Sequence, residues 1–170
     1  MHDRVAVALP YLLDNALDVV AWKMSPEVTV VRDYQFREVV PAEPGSLGQV
    51  LLNLIDNAIL AMPKTGQLKL ATAQVGDQVR ISIQDTGVGI KPEHLERIFE
   101  PFFSTRAAGE GTGLGLAITR RIVDHHRGRL EVQSEIGHGT RIDLFLPLKG
   151  TGSAASEKLP VDRVSLLARA

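Results

Sequence analysis

The amino-acid sequence predicts an α/β sandwich, with helices packed on one face of a sheet. Segments whose apolar residues recur at helical spacing alternate along the chain with segments of β-branched or strictly alternating residues. Two pairs of consecutive strands are separated only by short turns that contain glycine, at 76–77 and 137–139, which is typical of antiparallel neighbours. Such a mixture usually places the helices on one sheet face, although these connections leave the strand order open.

The first half of the chain predicts two helices and a strand between them. Apolar residues recur at helical spacing from Leu9 to Trp22. The valines of 28–31 then predict a strand, because β-branched residues favour extended backbone. A proline-containing loop over 41–45 follows. Ser46 is a plausible cap for a second helix, which ends near 62–63.

The second half predicts two strand pairs, a long connection and a third helix. Strands over 68–75 and 79–84 form the first pair, and the second of them alternates apolar and polar residues. Periodicity fades from 85 to 113, apart from a short helix near 92–99, and so long a connection within a domain is usually functional or mobile. The remaining predicted elements are a helix over 114–126, strands over 129–134 and 140–146, a linker over 150–156, and a weak helix or disordered end over 159–170.

The composition limits the class of protein. The chain has 170 residues, a formal charge of −1 and no cysteine. This length fits one folded domain with a short tail. The lack of cysteine excludes disulfides, thiolate metal sites and a cysteine nucleophile. No stretch approaches the roughly 20 apolar residues that span a bilayer, the first residues lack the apolar run of a signal peptide, and near-neutral charge argues against a general nucleic-acid binder.

Two asparagines stand one turn apart on the second predicted helix. Asn53 and Asn57 lie on the same side of it, at the edge of the apolar stripe. A carboxamide oxygen is a neutral ligand for a hard cation such as magnesium, which usually keeps several waters. Taken alone, the pair is explained more simply as surface or capping asparagines.

Two glycine-rich segments flank the long connection and hold part of a glycine excess, 15 of 170 residues against a usual share of about 7%. Asp85 ends a strand just before Gly87 and Gly89, and a carboxylate held there can accept a hydrogen bond from the amino group of a planar base. The alternating glycines of 111–115 open a helix, whose free N–H groups favour phosphate. Rossmann and P-loop spacings are absent. An ordinary turn and a ligand-free loop remain open as alternatives.

An aromatic segment lies inside the long connection. Three of the five phenylalanines fall within 99–103. They could anchor a partner or fill the domain's own core, and the sequence favours neither. Arg106 fits a phosphate contact or a solvated side chain. The histidines, including adjacent His125 and His126, show neither metal-ligand nor catalytic-triad spacing.

Five motifs occur in an order that is more informative than any one of them. They are Asn53-x-x-x-Asn57, Asp85-x-Gly87-x-Gly89, Phe99-x-Pro101-Phe102-Phe103, Gly111-x-Gly113-x-Gly115 and Gly137-x-Gly139-Thr140. With them, the chain resembles the catalytic ATP-binding domain of sensor histidine kinases, and the resemblance covers about Val5 to Leu148. That domain belongs to a superfamily shared with gyrase, the ninety-kilodalton heat-shock protein and the mismatch-repair ATPase. The resemblance implies a mixed, mostly antiparallel sheet covered on one face by three helices. It also implies a catalytic domain over 1–149 with a long ATP lid over about 86–112, before a linker and tail over 150–170.

The resemblance also implies the site. The residue matching Asp85 bonds the adenine amino group, with Gly87 and Gly89 letting the base approach the backbone and Thr140 nearby. Asn57 ligates magnesium with help from Asn53, and these two asparagines are the implied catalytic residues. The implied nucleotide contacts are Asn53, Asn57, Asp85, Gly87, Gly89, Ile90, Thr105, Arg106, Gly111, Thr112, Gly113, Leu114, Gly115, Leu116 and Thr140.

Some positions depart from the family pattern. Leu60 stands where relatives often carry a basic residue, which removes one phosphate contact, and Arg106 stands where many have lysine. Arg127-Gly128 replaces paired glycines. His2-Asp3 begins like a phosphoacceptor motif but nothing after it matches, so we interpret His2 as a chain end.

The implied function is transfer of the γ-phosphoryl group of ATP, with magnesium, to a histidine on a separate dimerisation domain, for relay to a response regulator. We expect no contact with nucleic acid or membrane by this domain, and a cytoplasmic location, either free or as the cytoplasmic part of a membrane-bound sensor. An anti-sigma-type serine/threonine kinase and a nucleotide-binding pseudokinase are the alternatives. An ATPase is disfavoured, because Asn53 occupies the position of the superfamily's catalytic glutamate and an amide cannot act as a base.

Overall fold

The structure of the chain, a computed structural model, describes residues 4–106 and 111–149, and the backbone alone of 164–168. His2, the part of the lid at 107–110 and the linker lie outside the described residues. The helices are α1 Leu9–Val20, α2 Pro44–Leu60, α3 Pro92–Leu95 and α4 Gly115–His125, and a short 3-10 helix spans Ala21–Lys23. The strands are β1 Val5–Ala8, β2 Glu27–Tyr34, β3 Val39–Ala42, β4 Thr65–Val75, β5 Gln78–Asp85, β6 Arg129–Glu135, β7 Gly139–Pro147 and β8 Val164–Ala168.

The main sheet has six strands in the order β2-β4-β5-β7-β6-β8. The two outer pairs, β2 with β4 and β6 with β8, are parallel, and the three inner pairs are antiparallel. The parallel pair β2 and β4 is joined by α2, since parallel neighbours need a crossover connection. This architecture confirms the predicted mixed, mostly antiparallel sheet with helices on one face.

Helix α2 is the centre of the helical layer. It contacts α1 on one side, α4 on the other and β5 beneath it. Its apolar stripe explains this position, because a wide apolar face stabilises a helix only when other elements cover it. The buried residues of the stripe are Leu47, Val50, Leu51, Leu54, Ile55, Ala58 and Ile59. On the polar edge of α2, the side chain of Asn53 therefore reaches Gly115, the first residue of α4.

The start of α2 differs from the prediction. The predicted loop over 41–45 instead holds the end of β3, which pairs antiparallel with β1, and the helix begins at Pro44. Ser46 is thus not the cap, and its hydroxyl donates to the Glu43 carbonyl oxygen at 3.3 Å. Proline is preorganised for the first helical position, so the helix begins three residues earlier than a cap at Ser46 would place it.

The C-terminal segment also differs from the prediction. Where the sequence favours a weak helix or a disordered end, the backbone of Val164–Ala168 forms a strand parallel to β6, in register with Leu130 opposite Val164. An edge strand presents unpaired N–H and C=O groups that recruit a further strand, whatever the local helix propensity. Among the described residues, no helix is long and apolar enough to cross a membrane.

Candidate functional site

A cavity of about 710 Å³ opens between α2, the adjoining ends of β5 and β7, and the start of α4. Its volume is in the range of small-molecule sites. Every residue of the predicted site lines it except Gly87 and Leu114. The members that the structure brings together are Asn53, Asn57, Asp85, Gly89, Ile90, Thr105, Arg106, Gly111, Thr112, Gly113, Gly115, Leu116 and Thr140.

Asp85 is a buried carboxylate at one end of this cavity, with 5% of its surface exposed. Its Oδ1 accepts hydrogen bonds from the backbone N–H of Gly87 at 2.8 Å and of Thr140 at 3.3 Å. Burial raises the pKa of Asp85 to about 6, although these two hydrogen bonds act in the opposite direction. The carboxylate is thus a fixed hydrogen-bond acceptor that faces a ligand-sized space.

Ser134, which the sequence analysis missed, ties the first glycine segment to β7. Its hydroxyl accepts the N–H of Ile90 at 2.8 Å and lies 2.8 Å from the hydroxyl of Thr140. It also donates to the Gly139 carbonyl at 3.1 Å, so Thr140 is the donor in the hydroxyl pair. A signal was available, because Ser134 is the one polar residue among the buried positions of β6.

Gly87 and Gly89 allow segments of the protein to approach one another closely. A Cβ at Gly87 would lie 2.3 Å from the Ala61 carbonyl oxygen, and one at Gly89 would lie 2.1 Å from the Glu135 carbonyl oxygen. Gly89 also has φ +73°, which side chains rarely adopt. The resemblance implies that these glycines admit a base, and the structure adds protein packing as a second reason for them.

The two asparagines have different surroundings. Asn53 Nδ2 donates to the Gly115 carbonyl at 3.0 Å and its Oδ1 accepts from Gln49 at 2.9 Å, so this side chain joins α2 to the start of α4. Asn57 Oδ1 accepts from Arg106 Nη2 at 3.2 Å, so this oxygen already faces a cation. Asn57 therefore fits a metal ligand better than Asn53 does.

Magnesium would depend on more than the protein's own side chains here. The described part of the chain holds no group of three or more His, Cys, Asp or Glu residues that could bind a metal ion. A site with one amide oxygen suits magnesium when a ligand's phosphates and waters complete its shell. The donor set thus fits the metal only together with a phosphate-bearing ligand.

The start of α4 forms the other end of the cavity. Gly115 and Leu116, in its first turn, line the cavity, and no side chain caps this turn. The first N–H groups of a helix have no partner within it, and the helix dipole there favours negative charge. This end is suited to phosphate.

The aromatic segment is divided between the core and the surface. Phe99 is buried in the core, and Phe103 packs against the core with the Arg97 guanidinium 4.5 Å from its ring centroid. Phe102 instead has 77% of its surface exposed and a left-handed φ of 66°. Its N–H donates to the Gly113 carbonyl at 2.9 Å, which holds the exposed ring beside the second glycine segment.

Several residues that were not predicted also line the cavity, among them Trp22, Lys23 and Asp56. Lys23 Nζ lies 2.7 Å from Asp56 Oδ1. Asp56 could have been suspected, because it neighbours Asn57 on α2. No sequence pattern pointed to Lys23, since it lies 33 residues before Asp56 in the chain and follows the end of α1. Leu60 also lines the cavity, so no cation enters from that position.

Comparisons with known proteins identify the family and the fold of the chain. The family model described as histidine kinase-, DNA gyrase B- and HSP90-like ATPase matches residues 42–150. The chain is 40% identical over 149 residues to the sensor histidine kinase ZraS of Escherichia coli O157:H7, an alignment that covers 86% of this chain and 32% of ZraS. The chain thus spans about a third of that relative's length.

Solved structures show the same fold. The chain is similar to the catalytic domain of histidine kinase ThkA, with a TM-score of 0.76 and 29% identity over 86% of this chain and 96% of that one. It is also similar to full-length ShkA in complex with AMPPNP, with a TM-score of 0.76 and 27% identity over 88% of this chain and 32% of that one.

Proposed function

The chain belongs to the family of histidine kinase-, DNA gyrase B- and HSP90-like ATPases, and from this premise we propose that it is the catalytic domain of a sensor histidine kinase. It binds ATP with magnesium and transfers the γ-phosphoryl group to a histidine on a dimerisation domain, from which a response regulator takes it. Family membership supports ATP, and the similar proteins named above are histidine kinases. Because ATP and response regulators are cytoplasmic, the proposal places this domain in the cytoplasm.

Asp85 in the cavity carries the proposal. A carboxylate there accepts a hydrogen bond from the exocyclic amino group of adenine. Guanine presents a carbonyl oxygen at the same ring position, which would leave two acceptors facing each other. A site built around a buried polar group rejects the wrong partner strongly, since that group is then left unpaired. Asp85 is therefore the adenine-selecting residue of the proposal.

Asn57, Arg106 and the first turn of α4 form the proposed phosphate end. Asn57 would hold the magnesium ion, which neutralises charge on the phosphates. Arg106 offers a charged fork that can bond phosphate oxygens, and the first-turn N–H groups of α4 add neutral donors. Phosphoryl transfer needs mainly positioning and charge stabilisation, which this set supplies.

Phe102 is the proposed contact to the domain that carries the acceptor histidine. An exposed aromatic ring beside the phosphate end offers a large apolar area to a partner. The attacking nitrogen, and any base beside it, belong to that partner. The isolated chain is thus expected to phosphorylate histidine only in trans.

A phosphotransfer assay tests the proposal. The chain is incubated with γ-labelled ATP, magnesium and the histidine-bearing dimerisation domain of a related sensor kinase, with an acceptor His→Ala domain as the control. Acid-labile phosphate on the domain, lost in the control, supports the histidine kinase. Acid-stable phosphate favours the serine/threonine kinase, and ATP binding without transfer favours the pseudokinase.

A further inference from the structure

Lys23 is held at the cavity rim by two neighbours. Its ammonium lies 2.7 Å from Asp56 Oδ1 and 5.6 Å from the ring centroid of Trp22. All three residues line the cavity that also contains Asn53 and Asn57. Trp22 is 80% exposed, so it is not there to fill the core. These contacts limit the positions of a long, flexible side chain to one part of the rim.

The charge of the cavity favours a further side-chain cation, besides Arg106 and the proposed magnesium ion, if a polyphosphate binds there. Among the described residues that line it, Lys23 and Arg106 are the only lysine or arginine side chains. Asp56 and Asp85 contribute negative charge in the same space. A nucleoside triphosphate brings several further negative charges, and together with Asp56 and Asp85 they exceed the positive charge of Arg106 and one magnesium ion.

We propose that Lys23 binds the phosphates of the nucleotide, with Trp22 beside its ammonium and Asp56 as an anion that holds the ammonium until phosphate competes for it. This inference rests on the proposed function, since it takes the ligand to be a nucleoside triphosphate. An ammonium has three N–H donors, and a bond to Asp56 leaves donors for phosphate oxygens. The charge is compact and needs no fixed orientation, unlike the fork of an arginine.

The Lys23–Asp56 pair can rearrange at little cost. The two side chains are 31% and 27% exposed, so water screens their attraction. A phosphate can therefore share the ammonium with Asp56 or draw it away. The 3-10 turn Ala21–Lys23 places the lysine next to α2 without burying it, which leaves the ammonium able to follow the ligand.

The competing explanation is that Lys23 and Asp56 form a purely structural ion pair. Substitutions at the two ends of the pair distinguish this explanation from phosphate binding. If the pair only attaches Ala21–Lys23 to α2, Lys23→Met and Asp56→Asn have the same effect. If Lys23 binds phosphate, Lys23→Met weakens ATP binding, whereas Asp56→Asn leaves it unchanged or tightens it, because the lysine loses a competing anion.

Calorimetric titration of each variant with ATP and with adenosine, in the presence of magnesium, measures these changes in affinity. Lys23→Met is expected to weaken ATP binding about five- to tenfold, the range of a charged hydrogen bond reduced by solvent screening, and to leave adenosine binding within about twofold. Lys23→Arg is expected to restore most of the ATP affinity. The matched control is Lys69→Met, which removes a similar exposed ion pair, to Asp33 at 3.3 Å, on β4 outside the cavity.

Three results would overturn the assignment. They are unchanged ATP affinity in Lys23→Met, an equal loss for adenosine, and an Asp56→Asn variant that loses ATP affinity as Lys23→Met does. Thermal unfolding of each variant shows whether it is folded. A parent chain that binds no ATP overturns both this assignment and the proposed function, whereas a parent that binds ATP with the same affinity as Lys23→Met overturns this assignment alone.

Discussion

The guanidinium of Arg106 donates a hydrogen bond from Nη2 to Oδ1 of Asn57, with 3.2 Å between the two atoms. This amide oxygen is the one proposed to face magnesium. Two cations that share one oxygen repel each other, so metal binding is expected to drive Arg106 away from Asn57 and towards the phosphates. The contact thus couples the lid residue Arg106 to the state of the metal site.

Asn57→Ala should remove the dependence of ATP binding on magnesium. The variant is expected to bind ATP about tenfold more weakly than the parent in magnesium and almost equally in EDTA, because only the metal-bound complex uses the amide oxygen. Calorimetry in magnesium and in EDTA gives the ratio of the ATP affinities of parent and variant under each condition. Asn15→Ala, at an exposed position of α1, is the control. An Asn57→Ala variant with the parent's magnesium dependence would remove Asn57 from the metal site.

Asp85→Asn should abolish adenine selection. The asparagine oxygen can still accept the N–H groups of Gly87 and Thr140, but its NH₂ group then faces the amino group of adenine. We expect ATP affinity to fall about 100-fold, because two donors meet without an acceptor. Protonation removes the same acceptor, so the parent's affinity should also fall as the pH drops through about 6. Calorimetry measures the ATP affinity of the variant and its pH dependence in the parent, with Asp77→Asn at an exposed position as the control. An Asp85→Asn variant that binds ATP as tightly as the parent would refute the adenine assignment.

The same substitution should stabilise the ligand-free chain at neutral pH. Burial raises the pKa of Asp85 from 3.8 to about 6, so the folded state binds its proton more tightly than the unfolded state. The ionised group therefore costs stability above pH 6, and this cost disappears as the pH falls towards 4. Asp85→Asn is expected to raise the free energy of unfolding by about 2–3 kcal/mol at pH 7 and by much less at pH 4. Urea denaturation at the two pH values would contradict this if the gain were equal at both.

Gly113→Ala should disturb the lid while leaving the adenine end intact. Gly113 has φ +65°, and a Cβ there would lie 2.5 Å from the backbone carbon of Phe102. Alanine in this conformation costs about 1–2 kcal/mol before any clash. We expect phosphotransfer to fall at least about tenfold and adenosine binding to persist. Gly45→Ala, where nothing lies within 4 Å of the added Cβ, is the control; full transfer activity in Gly113→Ala would show that this close contact is dispensable.

Elements with strong local signals were predicted, and elements that depend on distant partners were not. The stripe of α2 and the alternation of β5 each lie within one continuous segment, so periodicity alone identifies them. The strands β1, β3 and β8 have four or five residues and pair with partners more than 30 residues away. Their extended backbone comes from hydrogen bonding to those partners, which no local pattern records.

The candidate site likewise has residues that local motifs predicted and residues that they did not. The motifs that contain Asn57, Asp85 and Gly113 could be recognised because each keeps its residues at short, fixed spacing. Nothing local predicted that Lys23 lines the cavity, since it reaches the cavity from a separate element. The polar residue at a buried position of β6 was a signal for Ser134, but not for its hydrogen bond to Thr140 of β7.

The sequence by itself determined the fold class, the family and the chemical types of the residues at both ends of the cavity. Only the tertiary structure decided that Phe102 is exposed while Phe99 is buried, that Asn53 joins two helices while Asn57 faces a cation, and that Lys23 stands at the rim. Residue types and spacings are properties of the chain. Contacts depend on how closely distant segments approach, and packing of the helices against the sheet sets that distance.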